Sequence, residues 1–199
     1  MSKSPRGRPR AYDPEKALTK AMETFWAAGF TGTSLDDLAA ATGMNRPSLY
    51  AAFGDKKSIY LKSLDLYTEG LRKVLVAILQ SDMALTEGLA AFYQGGIDLY
   101  LSGENGPRGC FVSCTAPAEA VVDDDIRTVL KDVLDEIDRG LELLYAKAKK
   151  RGEISEDADA AALARLAGAV LHSLALRARA GETRAGLETI ARQAAKTIR

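Results

Sequence analysis

The chain has 199 residues, 47% of them hydrophobic and 27% charged, and its 27 basic side chains balance 27 acidic ones. This length can bury one core, with or without a small second domain, and the composition is globular, which excludes a disulfide-stapled mini-protein and a disordered chain. Two cysteines are too few for a disulfide framework, and the sequence shows neither a secretory signal nor an apolar run of membrane-spanning length. These features predict a cytoplasmic protein with no membrane partner.

Residue usage favours an all-α fold. The chain has 33 Ala and 25 Leu, both strong helix formers, against 8 Val and 8 Ile, which prefer strands. Its six prolines leave residues 48–106 and 118–199 uninterrupted, so long helices can form in both stretches. We predict about nine helices, arranged as a small N-terminal domain of three and a larger C-terminal helical domain.

Basic residues are concentrated at the N-terminal end. Residues 1–57 carry 9 basic and 6 acidic side chains, whereas the remainder carry 18 and 21, an asymmetry that favours a polyanionic partner. Arg6, Arg8 and Arg10 lie in a run, Arg-Gly-Arg-Pro-Arg, that is similar to the core of an AT-hook, whose arginines enter the minor groove of A·T-rich DNA. We expect residues 1–12 to form a disordered basic arm on DNA; a merely solubilising tail is the alternative.

The first two helices are marked by their end signals. Asp13, followed by a proline, is typical of a helix start, and Gly29 supplies the stop. Ser34 and Asp37 have the spacing of a capping box with Asp in place of Glu, which predicts a short second helix. This helix is expected to end at Gly43.

The next two helices follow directly. Asn45 is suited to cap a third short helix that ends at Gly54, and the proline in its first turn is tolerated there. Asp55 then caps a much longer helix, whose apolar stripe continues to about Ser81. The third helix therefore lies between two clear end signals.

The second and third helices, separated by only a glycine and a methionine, are typical of a helix-turn-helix. In this motif the second helix of the pair enters the major groove of DNA with its N-terminal residues facing the bases. Arg46 can bind guanine or a phosphate, whereas Leu49 and Phe53 are expected to face the small core. Lys56, beside the free amides that begin the long helix, is a candidate phosphate clamp. The candidate groove residues are Asn45, Arg46, Pro47, Ser48, Tyr50 and Ala51.

Residues 33–56, TSLDDLAAATGMNRPSLYAAFGDK, resemble the signature of the tetracycline-repressor (TetR) family of bacterial transcription regulators, and the similarity extends from Pro14 to about Leu66. The resemblance implies a homodimer in which residues 13–57 bind a palindromic double-stranded DNA operator. It also implies that residues 58–199 bind an effector and form the dimer.

The same resemblance assigns individual residues to the DNA contact. The implied contact residues are Thr33, Asn45, Arg46, Pro47, Ser48, Tyr50 and Lys56. One departure from the family pattern is Ala51, where a polar or aromatic residue is frequent. One phosphate contact is therefore expected to be missing, and Arg46 or the basic arm can compensate for it.

Beyond the long helix the sequence predicts further amphipathic helices. The segment from Cys110 to Val122 is expected to hold a short helix that begins after Pro117, because proline is favoured at a helix start. The other predicted elements are helices over 86–101, 124–152, 157–180 and 183–198 and a loop over 102–107.

Six residues of the larger domain are candidates for an effector pocket. Aromatic side chains can line a cavity for an apolar or aromatic ligand, but at helical spacing they are often plain core, and a histidine flanked by leucines is often structural. Both interpretations stay open at this point. The candidates are Phe92, Tyr93, Tyr100, Phe111, Tyr145 and His172.

Cys110 and Cys114 stand four residues apart, a spacing that brings two side chains close together on a helix. A redox-active pair is one interpretation, and two small buried apolar side chains are the other. A zinc site needs more ligands than these cysteines and the one histidine, and the acidic run 123–125 is better explained as carboxylates at a helix start than as a cation site. We predict no metal and no cofactor.

The last two predicted helices combine leucines with small residues, which allow helices to approach closely. Paired with their symmetry mates, they would make a four-helix interface, so the homodimer is expected to form through them; packing within one subunit is the alternative. The residues concerned are Leu163, Ala164, Leu166, Ala167, Gly168, Val170, Leu171 and Leu174 in one helix and Leu187, Ile190, Ala194 and Ile198 in the other.

As a whole, the sequence predicts a DNA-binding transcription regulator, by resemblance a repressor, that an unidentified small molecule releases from its operator. Two recognition helices would reach major grooves about 34 Å apart, so a change in their separation loses one half-site. The sequence shows no nucleophile elbow, phosphate-binding glycine loop or metal-ligand cluster, which argues against an enzyme. The alternatives are a thiol-based redox sensor and a helical ligand-binding protein without specific DNA binding.

Overall fold

A computed structural model describes residues 13–103 and 106–198, and these residues form helices and connecting loops with no strand among them. The all-α prediction is confirmed for the described part of the chain. Two compact units are present, the first ending at Ser63 and the second beginning at Leu64. The helices are α1 (Pro14–Ala28), α2 (Leu35–Thr42), α3 (Arg46–Phe53), α4 (Lys56–Gln80), α5 (Leu85–Tyr100), α6 (Phe111–Glu119), α7 (Asp124–Lys150), α8 (Ala160–Arg179) and α9 (Arg184–Thr197).

The helix ends of the first unit form as the sequence predicts. The Asp13 side chain accepts hydrogen bonds from the first amides of α1, and Gly29 ends that helix with a positive φ of 77°. In the capping box of α2, the Asp37 amide donates to Oγ of Ser34 at 3.1 Å, and the Ser34 amide donates to Oδ2 of Asp37 at 2.8 Å. Gly43, in the left-handed region, follows α2. Local hydrogen bonds thus fix where α1 and α2 begin and end.

The core of the first unit is small and rich in aromatic residues. Phe25, Leu38 and Leu49 are fully buried, as are Ile59 and Tyr60 at the start of α4. The rings of Phe25 and Tyr60 meet edge to face, with their centroids 5.1 Å apart. This core packs against the inner face of α3, and the opposite face of the helix is exposed to solvent.

The second unit is a bundle in which α8 is central. Within this unit α8 contacts α5, α6, α7 and α9, and α5 also contacts α9. The helix begins at Ala160 because the Asp159 side chain accepts from the Ala162 amide, which corrects the start predicted at residue 157. The predicted bounds of α5, α7 and α9 agree with the structure to within a few residues.

Helix α6 contradicts the sequence prediction. It begins at Phe111 and includes Pro117, whereas the sequence predicted a helix only after that proline. A proline inside a helix removes one backbone hydrogen bond and costs about 3 kcal/mol. Here Phe111, Val112 and Ala116 are buried, and the helix contacts α7 and α8. Burial of this face therefore outweighs the local preference, and Pro117 lies only two residues before the helix end.

Helix α8 also corrects the expectation that the chain holds no stretch of membrane-spanning length. An 18-residue window within its 20 residues has a mean hydropathy of 1.2, which by length and composition alone is enough to cross a bilayer. A core helix of a water-soluble bundle meets the same criterion, and α8 packs on four other helices of its unit.

The residues predicted for a subunit interface divide into three sets. Leu166 is exposed, and five residues are half-buried: Leu163, Val170, Ile190, Ala194 and Ile198. The largest set is buried inside the unit itself, in agreement with the alternative of packing within one subunit: Ala164, Ala167, Gly168, Leu171, Leu174 and Leu187. Leu166 is 56% exposed, and Leu176, which the sequence analysis did not name, is 55% exposed. With the exposed Ala162 and Ala169, these two leucines form an apolar stripe along α8.

Candidate nucleic-acid interface and core cavity

The outer face of α3 is exposed. Asn45, Arg46 and Pro47 at its start are accessible, and Tyr50 on the next turn is 48% exposed. Leu49, on the opposite face, is fully buried, and Phe53 is nearly so. Of the candidate groove residues, Asn45, Arg46, Pro47 and Tyr50 therefore face solvent at the cap and in the first two turns of α3, and Ser48 is half-buried.

The cap of α3 uses part of the candidate site. Oδ1 of Asn45 accepts a hydrogen bond from the Ser48 amide at 2.9 Å. This bond fixes the helix start and leaves the Asn45 amide group as a donor for an outside partner. At the other end of α3, Nζ of Lys62 donates to the Phe53 carbonyl at 2.7 Å. The sequence analysis did not identify Lys62, because it lies nine residues after Phe53 and on the next helix, α4.

Arg46 is held by an acidic residue of α2. Nε of Arg46 donates to Oδ1 of Asp36 at 2.8 Å, and Nη2 donates to Oδ2 at 2.5 Å. The hydrogen bond from this guanidinium, together with its charge, lowers the pKa of Asp36, and the same contact raises the pKa of Arg46. Both groups are therefore ionised at neutral pH. The sequence analysis missed this contact because the two residues are ten positions apart.

Thr33 does not belong to the exposed face. It is 1% exposed, and its hydroxyl donates to the Gly29 carbonyl at 2.7 Å. Its amide donates to the Phe30 carbonyl at 3.2 Å. The Thr33 side chain therefore holds the loop between α1 and α2, and the contact that the family resemblance implied for it has no free hydroxyl to use.

Lys56, the predicted phosphate clamp, lies at the start of α4 and is half-buried. Its Nζ is 4.4 Å from the centroid of the Phe30 ring, a cation–π contact within the first unit. The Ser58 amide donates to Oδ1 of Asp55 at 2.8 Å, and this hydrogen bond lowers the pKa of Asp55. The helix start therefore already carries one carboxylate beside the two lysines at 56 and 57.

The three arginines of the predicted basic arm, Arg6, Arg8 and Arg10, lie outside the described residues. Their role in DNA binding stays a prediction.

A cavity of about 10 Å³, enough for one water molecule, lies in the core of the second unit. Two of the six predicted pocket residues line it, Tyr100 and His172, together with Cys110 and Ser113. The rest of the wall is apolar and comes from four helices: Leu71, Val112, Val133, Leu134, Ile137 and Leu171.

The other predicted pocket residues belong to the surrounding core, as the alternative interpretation held. The Tyr93 hydroxyl donates to the Ala167 carbonyl at 3.2 Å, and the Tyr145 hydroxyl donates to the Ile198 carbonyl at 2.9 Å. Phe111 meets the ring of Tyr67 edge to face, and Phe92 lies against Tyr93. The cavity wall therefore contains none of the four predicted residues Phe92, Tyr93, Phe111 and Tyr145.

Two polar atoms at the cavity are buried without a hydrogen-bond partner in the described structure, Oγ of Ser113 and Nδ1 of His172. Burial lowers the pKa of His172, and the negative charge of Asp138 only partly opposes this shift. Burial beside Cys110 and Cys114 raises the pKa of Tyr100 well above its usual value. The imidazole of His172 and the phenol of Tyr100 are thus neutral at pH 7, and Oγ of Ser113 and Nδ1 of His172 can bind a ligand group or a water.

Cys110 and Cys114 are both free thiols, one buried and the other half-buried. Cys110 is buried at the start of α6, and the Cys114 amide donates to its carbonyl at 3.0 Å. Burial raises the pKa of Cys114, with the neighbouring Cys110 adding to the shift. A raised pKa disfavours the thiolate that oxidation requires.

The acidic run before α7 caps that helix. Oδ1 of Asp123 accepts from the amides of Asp125 and Ile126, and Asp124 pairs with Arg127. The prediction of carboxylates at a helix start is confirmed. Within residues 13–103 and 106–198, no cluster of three or more metal-ligating side chains is found.

Comparison with known families gives two matches along the chain. Residues 17–62 match the model described as bacterial regulatory proteins, tetR family, and residues 86–194 match the model of a tetracyclin repressor-like C-terminal domain. The first match contains α2 and α3 with the loop that joins them, and the second covers more than half of the chain.

Individual relatives extend over nearly the whole length. The HTH-type transcriptional repressor ComR of Escherichia coli (strain K12) is 32% identical over 197 residues, covering 99% of this chain and 92% of its own. A solved structure of the transcriptional regulator CifR, a cysteine mutant complexed with a 26-bp double-strand operator DNA, has a TM-score of 0.85 with 29% identity, covering 96% of this chain and 99% of its own. A regulator from Chloroflexus aurantiacus has a TM-score of 0.80 with 26% identity, covering 93% of each chain.

Proposed function

This chain belongs to the TetR family of bacterial transcription regulators, and we propose that it represses transcription by binding a palindromic operator as a homodimer until a small molecule releases it. The observation that carries the proposal is the exposed face of α3, whose first turns present Asn45, Arg46 and Tyr50 on a helix fixed by its cap and by a buried inner face. Such a face can enter the major groove.

We assign DNA binding to residues 13–57 and effector binding with dimer formation to residues 58–199. Arg46 serves as the base-contacting residue, because a guanidinium can donate two hydrogen bonds to guanine. Ser48 and Tyr50 serve as phosphate contacts, and Lys56 adds positive charge at the edge of the face. The arm with Arg6, Arg8 and Arg10 would extend the contact into the minor groove.

The homodimer forms through the last two helices. The exposed stripe of Ala162, Leu166, Ala169 and Leu176 on α8 supplies the apolar surface, since small residues let a symmetry-related α8 approach closely. In the dimer the two α3 helices would reach grooves about 34 Å apart.

The effector binds in the second unit, at the cavity that Tyr100, Ser113 and His172 line. Because the cavity holds only about one water, binding requires the surrounding helices to move apart. Leu71 of α4 is part of the cavity wall, so this movement would shift the helix that begins at Lys56. A coupling free energy of about 1 to 3 kcal/mol between effector binding and operator binding would change operator occupancy several-fold to a hundredfold.

Specific binding to DNA is the first test. A duplex selected by the protein from a random library and a scrambled duplex of the same composition are titrated at several salt concentrations. Arg46→Ala should lower affinity for the selected duplex by about 1 to 3 kcal/mol and relax its sequence preference, whereas Lys56→Ala should weaken binding to both duplexes alike. Equal affinity of the wild-type protein for both duplexes would contradict the proposal.

The effector site has its own test. Wild-type protein and a Ser113→Leu variant, which fills the cavity, are screened with a panel of small neutral molecules for a rise in melting temperature and for release of the selected duplex. Compounds that release DNA from the wild type should fail with the variant, while both proteins bind the duplex equally without a compound. Undiminished release from the variant would place the effector elsewhere.

A thiol response is a second candidate, because Cys110 lines the cavity and Cys114 follows one turn later. Hydrogen peroxide would take two electrons and two protons from the pair, leaving a disulfide and two water molecules. Loss of DNA binding on peroxide treatment that Cys110→Ser abolishes would support this candidate. We propose no catalytic activity for this chain, and we place it in the cytoplasm.

A further inference from the structure

The ion pair of Asp36 and Arg46 lies at the edge of the proposed DNA face. Both side chains are largely exposed, and the pairing is bidentate, with Nε and Nη2 of the guanidinium each donating to one carboxylate oxygen. A bidentate pair is stronger and more directional than a single contact between a lysine and a carboxylate. The surface that would meet a polyanion therefore carries a negative charge beside its main arginine.

The fold does not need this carboxylate for the cap of α2. Asp37, the next residue, completes the capping box with Ser34, accepting from both its amide and its hydroxyl. Asp36 lies in the first turn, where the helix dipole favours any carboxylate. That preference explains an acid at this position but not the bidentate contact with a residue of α3.

The pairing uses only part of the hydrogen-bonding capacity of Arg46. A guanidinium has five N–H donors, and Asp36 occupies one on Nε and one on Nη2. The two hydrogens on Nη1 and the second one on Nη2 stay available. A neutral acceptor, such as O6 or N7 of guanine, can take these without displacing the carboxylate. A phosphate would instead bring a second negative charge next to Asp36, which like-charge repulsion opposes.

We propose that Asp36 is a specificity-determining residue: by holding Arg46, it favours neutral base edges over phosphates as the DNA partner of that arginine. The inference rests on the proposed function, since it requires that α3 binds DNA. Asp36 would thereby weaken non-specific binding, because an arginine without this partner can bind a phosphate of any DNA sequence.

The test measures affinity for the selected and scrambled duplexes across salt concentrations with the full-length Asp36→Asn protein. Freed from the carboxylate, Arg46 should take a phosphate, so affinity for the scrambled duplex rises about tenfold at low salt, and the slope of log affinity against log salt steepens by about 0.9. Affinity for the selected duplex should change less than about threefold, so the specificity ratio falls. Asp36→Ser, with circular dichroism as a check on folding, serves as a second variant.

Two controls separate this effect from the loss of a negative charge. Glu23→Gln removes the same charge from an exposed position of α1, and it should change both affinities by the same small factor. In an Arg46→Ala background, Asp36→Asn should have no effect beyond that of the Glu23 variant. The inference is overturned if Asp36→Asn shifts both duplexes equally or acts undiminished without Arg46. If the wild type itself shows no preference for the selected duplex, the proposed function fails, and the inference with it.

Discussion

The two units of this chain place their functional groups in opposite ways. In the first unit the candidate DNA residues stand on the outside of one eight-residue helix, and buried groups such as Leu49 only support it. In the second unit the candidate ligand groups are buried, and five helices supply the cavity wall. Residues close along the chain fix the exposed face of a helix, and a small core is enough to support it. A buried site forms only when segments distant in sequence pack against one another.

The largest expected effect comes from removing the support of the exposed face. Leu49→Ala should lower the free energy of unfolding by about 2 to 5 kcal/mol, because Leu49 is fully buried in a small core. DNA binding should be lost with it, as measured by urea unfolding and duplex titration. Ala51→Ser, on the exposed side of the same helix, should change the free energy of unfolding by less than about 0.5 kcal/mol. A similar loss of stability in both variants would show that packing of its inner face does not hold α3 in place.

The second unit should depend on the glycine that leads into α6. Gly109 has a φ of 67°, and a Cβ there would lie 2.5 Å from the Ala175 carbonyl oxygen. Gly109→Ala should therefore cost about 3 kcal/mol, from backbone strain and steric overlap together. Gly152→Ala provides the matched control, since its φ is 71° and no atom lies within 4 Å of the added Cβ. This control should lower the free energy of unfolding by only about 1 kcal/mol, from backbone strain alone. Thermal unfolding of both variants measures the difference.

Removal of a buried serine hydroxyl should change the free energy of unfolding in opposite directions in the two units. Oγ of Ser63 donates to the Ile59 carbonyl at 2.8 Å, so Ser63→Ala should destabilise the protein by about 1 kcal/mol. Oγ of Ser113 is buried without a partner, so Ser113→Ala should be neutral or stabilise it by up to about 1 kcal/mol. Chemical denaturation of both variants measures the difference. A clear loss of stability in Ser113→Ala would mean that a water or another group satisfies that hydroxyl.

The smallest expected effect is a pH dependence from His172, the one histidine of the chain. Its pKa is lowered by burial in the folded state, so the unfolded state binds a proton first as the pH falls. Stability should therefore be constant above the unfolded pKa of about 6.5 and fall as the pH drops from there toward the folded pKa. Melting temperatures between pH 7.5 and 5.5 measure this, and His172→Gln should flatten the curve in that window.

Much of the first unit could be predicted because its signals are local. The caps at Asp13, Ser34 and Asn45 each involve amides two or three residues away, and the positive-φ glycines end the helices directly after them. The family signature added the role of α3. Thr33, which the family resemblance alone assigned to the DNA contact, is buried, and its hydroxyl donates to the Gly29 carbonyl four residues earlier.

The sequence by itself determined the helical composition, the ends of most helices and the exposed start of α3, since these follow from interactions between residues that are close along the chain. Tertiary structure alone decided three features: that α6 continues through Pro117, that Tyr100 and His172 meet Ser113 at one cavity while Tyr145 does not, and that Asp36 holds Arg46. Each depends on which distant surfaces are buried together, and no spacing in the sequence specifies that.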